Sequence, residues 1–346
     1  MKNRAAFMTG INTIEMRDIE VPKIKDNEVL VKIEYVGICG SDSQYLETGA
    51  IGDFVVEGDF ILGHECAGEV VELGSEVTDL KLGDKVALEP GITCGECEFC
   101  KTGKYNLCPD VEFLATPPYH GCLVNYIAFP ANMCFKLPDN MSTKEGALVE
   151  PLSVGIHSAE QGNVSLGDSV IILGAGCIGL VTLLACKAYG ATDITVVDMM
   201  QKRLNFATEL GASRVINASE ADAVEVMNEF TNGKGTDVVI ETAGSSVTIK
   251  QTAHLVKNGG TIVLVGMAPE DIIDYNFAKI MAKEATITSV FRYRNIYQKA
   301  INAISEGLID VSGIVTHEFE FEDSAKAFDY VSKNKNDVVK ALIKVD

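Results

Sequence analysis

Residues Ser169–Asp198 read SVIILGAGCIGLVTLLACKAYGATDITVVD. Ser169-Val170-Ile171-Ile172-Leu173 is a short apolar, β-branched run, the composition of a strand buried on both faces of a parallel sheet. Gly174-Ala175-Gly176-Cys177-Ile178-Gly179 follows. Leu180–Tyr189 then reads as a helix ending at Gly190, and Asp193–Val197 as a second strand closed by Asp198, 19 residues after Gly179. A G-x-G-x-x-G string alone is weak. Between a strand and a helix, with an acid at that distance, it marks a dinucleotide site. The glycines admit a pyrophosphate to the helix N-terminus, where free N–H groups and the helix dipole favour negative charge. Asp198 predicts hydrogen bonds to ribose hydroxyls and, by repelling a 2′-phosphate, NAD rather than NADP. Arg203, one turn further, either contacts the same ribose or is a solvated helix residue.

The same alternation continues outward. Asp237–Glu241 and Thr261–Gly266 read as strands, with helical segments Lys202–Leu210 and Ser246–Val256 among them. Strands alternating with helices predict a doubly wound parallel sheet over roughly residues 155 to 290. The first 150 residues differ, with short β-like runs such as Glu28–Tyr35 and Lys85–Leu88 broken by Gly and Pro. That pattern predicts an irregular β-rich domain, and 346 residues exceed one typical core.

The chemistry-bearing residues of this first region fall in two groups. Gly63-His64-Glu65-Cys66-Ala67-Gly68, continued by Gly74 and Val77, places His64 25 residues after Cys39 of Gly37-Ile38-Cys39-Gly40-Ser41-Asp42. Thiolate, imidazole and carboxylate form a donor set suited to Zn²⁺, and three such groups leave a position open, as a catalytic zinc requires. The plainer alternative is a core histidine beside a surface glutamate. Cys94, Cys97, Cys100 and Cys108 form C-x2-C-x2-C-x7-C, which predicts a closed, structural Zn²⁺ site. A [4Fe–4S] cluster or unmetallated thiols are the alternatives. Glu96 and Glu98 are expected to raise thiol pKa values there and so to disfavour a reactive cysteine. Cys66, Cys122, Cys134, Cys177 and Cys186 have no partner at ligand spacing and read as small buried hydrophobes.

Composition excludes several function classes. The net charge is −20, from 29 basic and 49 acidic residues, a field that repels nucleic acid and anionic lipid. Met1–Phe7 lacks a signal-peptide apolar core, and no apolar stretch reaches the roughly 18 residues of a membrane span. Clustered cysteines without a secretory signal favour a reducing, cytoplasmic setting.

Cys39, the Gly63–Val77 signature, the four-cysteine loop and the glycine-rich segment, in this order, resemble the zinc-dependent medium-chain dehydrogenase/reductase family over essentially the whole chain. The resemblance implies a GroES-like catalytic domain over 1–153 and 291–346, with an NAD-binding Rossmann domain over 154–290. Glu150-Pro151-Leu152-Ser153-Val154-Gly155-Ile156-His157 puts a glutamate where many family members have a further cysteine ligand. Ile51–Phe54, Phe113–Pro118 and Val290–Tyr293 look like segments of the sorbitol (polyol, xylitol) dehydrogenase subgroup. That subgroup implies NAD-linked oxidation of a polyol secondary alcohol to the ketose. Another vicinal hydroxyl compound (2,3-butanediol, L-threonine or a sugar-alcohol phosphate) is the alternative.

Carried over by resemblance, Cys39 and His64 bind the catalytic zinc. Glu65 and Glu150 supply its carboxylate and water-mediated contacts. Ser41 stands near the reacting alcohol, and Tyr45, Phe113, Thr116, Arg292 and Tyr293 line the polyol pocket. Gly174, Gly176, Cys177, Ile178, Gly179, Asp198, Arg203, Val265, Val290 and Phe291 bind the cofactor. Two Zn²⁺ per chain, a homo-tetramer or homo-dimer, and no nucleic-acid or membrane partner complete the expectation. Gln44 departs from the pattern, standing where polyol dehydrogenases often carry a histidine.

Overall fold

The computed structural model describes residues Met1–Val345. The chain forms two compact units. One comprises Met1–Glu150, Tyr297–Gly307 and the chain from Val315 onward; the other comprises Pro151–Ile296 and Leu308–Ile314. The divisions therefore fall at 150/151 and 296/297, against the expected 153/154 and 290/291. The excursion of Leu308–Ile314 into the second unit was not foreseen. It is a packing effect: a Cβ on Gly313 would lie 3.0 Å from Leu210 Cδ2, so this segment rests against the nucleotide-fold helices.

In the second unit Ser169–Leu173 lies in the middle of a six-stranded parallel sheet. The strand order is Arg214–Asn217, Asp193–Asp198, Ser169–Leu173, Thr236–Glu241, Val256–Leu264, Thr286–Ser289. This is the doubly wound order, with the topological switch beside the first strand. Ile171, Leu173, Val239 and Ile262 are buried and pack with Met227, Ala253 and Leu255 of covering helices, as a sheet covered on both faces requires. The helix after the glycine motif spans Cys177–Ala188, starting three residues earlier than expected because Gly176 itself is its N-cap. Strand Val256–Leu264 starts five residues earlier than expected because the preceding helix stops at Leu255 and Val256 already pairs with Thr236.

The first unit is β-rich. Its main sheet places Glu28–Ile38 between Glu65–Leu73 and Lys340–Lys344, with Lys85–Leu88 and Cys134–Lys136 beyond on one side and Val315–Glu320 on the other. Val31, Ile33, Val36, Val70, Leu88, Phe129, Phe328 and Ile343 fill its core. Two pairings position the chemistry: Gly37 lies opposite Glu65, and Ile38 opposite Ala341. Among the described residues no helix is long and apolar enough to cross a membrane.

Candidate active site

Strand Glu28–Ile38 ends before Cys39, the N-cap of helix Gly40–Thr48, while Glu65 opens the strand paired beside it and His64 immediately precedes that strand. Register thus delivers a thiol, an imidazole and a carboxylate to one place, and their ligand atoms all lie within 4.8 Å of one another. His64 and Glu65 are buried, Cys39 partly so. A sulfur, nitrogen and oxygen donor gathered this closely fits zinc, which binds such ligands at about 2.0–2.3 Å. Glu150 is buried in the first turn of helix Val149–Gln161 but is not among the three converging residues.

Asp42 was overlooked as a functional residue. It is fully buried; its Oδ2 accepts from Cys39 N–H at 3.1 Å and its Oδ1 from Gly63 N–H at 2.9 Å. Asp42 Oδ1 also stands 3.5 Å from His64 Nδ1. One carboxylate therefore fixes the backbones bearing two of the three donors. Burial disfavours charge on His64, yet the fields of Asp42 and Cys39 hold its pKa well above the usual range. The signal was in the sequence: an acid three residues after an N-cap is the capping-box spacing.

Glu65 is engaged by Lys340, whose Nζ donates to both carboxylate oxygens at 2.7 Å and to Ile38 O at 3.2 Å. The space it occupies exists because Gly37 lacks a side chain, since a Cβ there would overlap Glu65 Oε2 at 2.0 Å.

Of the expected pocket residues, Phe113 meets this cluster directly, with its ring centroid 5.8 Å from that of His64. Tyr45 is buried on helix Gly40–Thr48 with its ring against Phe60, while Gln44 beside it is exposed. Ser41 lies in the first turn of that helix. Thr116 closes a turn, donating its N–H to Phe113 O and accepting from Tyr119 N–H. Arg292 and Tyr293 belong to the second unit; Arg292 has φ +56° with its guanidinium 4.9 Å from the Phe291 ring centroid, and Tyr293 is buried.

The four cysteines form a second cluster, with every Sγ within 4.8 Å of the others. Cys94 Sγ lies 4.0 Å from Cys100 Sγ and 3.6 Å from Cys108 Sγ. A tetrahedron with Zn–S of about 2.3 Å has edges of about 3.8 Å, so these thiols fit zinc. The N–H groups of Cys97 and Cys100 point at the preceding sulfurs, Cys94 at 3.3 Å and Cys97 at 3.4 Å. The thiols divide: backbone donors, that of Glu96 first and of Cys97 next, pull Cys94 down to about 7, whereas burial pushes Cys108 up to about 11.

In the second unit, Gly174 takes φ +109° and a Cβ there would crowd Thr242 Oγ1 at 2.9 Å. A Cβ on Gly176 would instead meet only Arg203 Nη1, at 4.0 Å. That face is open at the start of helix Cys177–Ala188, an arrangement that fits a pyrophosphate. Asp198 is set by Ala175 N–H on Oδ2 and Met200 N–H on Oδ1, each at 2.8 Å, and Arg203 Nη1 lies 4.0 Å from Oδ2. Val265 N–H bonds Glu241 O, and Val290 N–H bonds Leu264 O, at the carboxyl ends of the strands.

Two further residues escaped the sequence reading. Thr242 Oγ1 donates to Leu173 O at 3.0 Å and Gly174 O at 3.2 Å. Glu241 Oε1 accepts from Ala243 N–H, Gly244 N–H and Thr248 Oγ1 at 2.8–3.0 Å. Together they brace the glycine loop from the neighbouring strand.

Comparison with known proteins gives the family. Residues 25–139 match the alcohol dehydrogenase GroES-like domain and residues 177–306 the zinc-binding dehydrogenase domain. Sorbitol dehydrogenase of Bacillus subtilis is 43% identical, covering 98% of this chain and 96% of that protein. D-xylulose reductase A of Aspergillus oryzae is 39% identical, covering 99% and 96%. The crystal structure of an Escherichia coli oxidoreductase/dehydrogenase of unknown specificity superposes with a TM-score of 0.96 at 48% identity, covering 100% of both chains. Matched over its full length in fold and sequence, the chain belongs to the zinc-dependent medium-chain dehydrogenase family, in its sorbitol (polyol) dehydrogenase subgroup.

Proposed function

We propose that this protein oxidises a secondary alcohol of a polyol such as sorbitol or xylitol to the ketose, with NAD as acceptor. The observation that carries the reading is the convergence of Cys39, His64 and Glu65, in a chain that has Glu150 where many family members have a further cysteine ligand. These three residues hold the catalytic zinc, with Glu150 contributing through water; the four cysteines hold a structural one. When bound, zinc supplies a Lewis acid that lowers the pKa of the substrate hydroxyl, and NAD accepts the hydride.

The chain's own residues do the rest. Asp42 fixes Cys39 and His64, so the donor set is organised in advance. Ser41 takes the hydroxyl proton and passes it toward Glu150, because the exposed amide of Gln44 has no titratable group. Phe113, Tyr45, Thr116, Arg292 and Tyr293 bind the polyol, whose hydroxyls each need a partner once they leave water. Asp198 recognises the ribose and its charge excludes a 2′-phosphate, which favours NAD over NADP.

The active form is a homo-dimer or homo-tetramer. Supporting this, Thr286–Ser289 is an edge strand, and Phe277 and Met281 on the preceding helix are exposed. The cysteine content suits the reducing cytoplasm. The test is NADH formation with sorbitol, xylitol, ribitol, galactitol, 2,3-butanediol and threonine, with and without chelator. Preference for butanediol or threonine over every polyol overturns the substrate; equal rates with NADP overturn the cofactor.

A further inference from the structure

The four-cysteine lobe hangs from a ribbon that reaches the catalytic cluster. Gly91–Ile92 and Glu112–Phe113 pair antiparallel, Phe113 opposite Gly91 and Glu112 opposite Ile92. Cys94 follows the first strand after one residue, and Cys108 precedes the second by three. Leu114 N–H bonds Pro90 O at 3.0 Å, continuing the pairing past Phe113. A Cβ on Gly91 would stand 3.2 Å from Phe113 Cδ2, so the ring lies close over its partner strand. The same ring meets His64, with the centroids 5.8 Å apart and the planes tilted by 55°. The lobe is also tied back to the sheet, because Tyr105 OH, between the third and fourth cysteines, donates to the buried Glu89 Oε1 at 2.7 Å.

We propose that the four-cysteine lobe clamps Phe113 against His64, so that metal in the lobe sets the order of the catalytic cluster; this rests on the reading of Cys39, His64 and Glu65 as the catalytic metal site. The physical reason is the ribbon's size. Two residues per strand cannot hold a pairing in water, and joining them through a flexible loop adds closure entropy. Four thiolates on one ion remove that entropy within the lobe and hold the two arms at a fixed separation. Phe113 then packs on one face of His64, restricting the imidazole in a site that must keep three donors converged. It is a positioning residue, acting through His64.

The experiment compares wild type, Cys97→Ser, Tyr105→Phe, Phe113→Ala and the double variants that add Phe113→Ala to each of the first two. Bound zinc is counted by elemental analysis, and its release to a chromogenic chelator is timed without substrate. Cys97→Ser is expected to lose one zinc and to release the remaining one about tenfold faster, the scale on which loss of the support around a metal ligand weakens metal binding. Tyr105→Phe keeps both metals but speeds release from the catalytic site about threefold. In the Phe113→Ala background neither substitution has a further effect. Unchanged release in both single variants, or effects that multiply with Phe113→Ala, overturns the proposal. If Cys97→Ser does not fold, Tyr105→Phe decides alone. A wild-type chain that binds only one zinc also overturns it. Because release is read without substrate, failure to oxidise polyols overturns the functional reading and leaves the release comparison standing.

Discussion

Lys340 Nζ lies 2.7 Å from both carboxylate oxygens of Glu65, with the side chains 3% and 1% exposed. The pair joins residues 275 positions apart, because Ala341 pairs with Ile38 on one flank of a strand and Glu65 with Gly37 on the other. A buried ion pair adds little net stability, but removal of one partner strands the other's charge at a cost of about 3–5 kcal/mol. A metal ion held by Glu65, as proposed, would supply a replacement charge. Lys340→Met is therefore expected to lower the stability of the zinc-free protein by about 3 kcal/mol and that of the zinc-loaded protein by distinctly less. Thermal unfolding with and without zinc measures both; equal losses would show that Glu65 does not face the metal.

The glycine motif yields a contrast between neighbours. A Cβ on Gly179 would overlap Gly174 O at 1.9 Å, whereas one on Gly176 meets nothing nearer than 4.0 Å. Gly176 has φ −72°, which alanine adopts freely. Gly179→Ala is expected to destabilise the fold by several kcal/mol, as overpacking at a backbone contact does. Gly176→Ala should change stability by about 1 kcal/mol or less, yet weaken NADH binding at least tenfold by filling the phosphate approach. Melting curves and NADH fluorescence titration separate the two, and normal nucleotide affinity in Gly176→Ala would argue against this loop as the phosphate site.

Glu241 gives a cofactor prediction that its position in a strand conceals. Its Oε1 gathers three donors from the loop at 243–248, while Thr242 ties that strand end to Gly174. Glu241→Leu leaves those donors unpaired and is expected to weaken NADH about tenfold or more. Glu241→Gln keeps the acceptor and should stay within about threefold. Equal affinities for both variants would reduce Glu241 to a packing role.

What the sequence made legible was local. From Ser169 to Asp198 each residue's role depends on neighbours within thirty positions, so strand, turn, helix and acid were all readable. The four cysteines were readable for the same reason, and Asp42 lay within the same reach at capping spacing. Lys340 was not, because its meeting with Glu65 depends on sheet order, which no single segment encodes. Glu241 looked like the end of an apolar strand, and only the loop geometry after it shows the carboxylate collecting donors. The late excursion into the second unit resisted for a related reason, since Leu308–Ile314 carries no motif and is placed by packing alone.

Glu89 supplies a dependence on pH. Burial pushes its carboxyl up from the ordinary value of 4.5 to about 7, although the Tyr105 hydroxyl donates to it. The folded state therefore binds this proton more tightly than the unfolded chain. Its stabilising contribution is full below about 4.5 and is lost as pH rises through about 7. Glutamine accepts the same Tyr105 hydrogen bond with no proton to lose. Stability of Glu89→Gln relative to wild type should rise between pH 5 and pH 8, by up to about 3 kcal/mol at 1.36 kcal/mol per pKa unit. Unfolding by urea across that range reads the difference, and a difference independent of pH would place a charged Glu89 in the folded protein throughout.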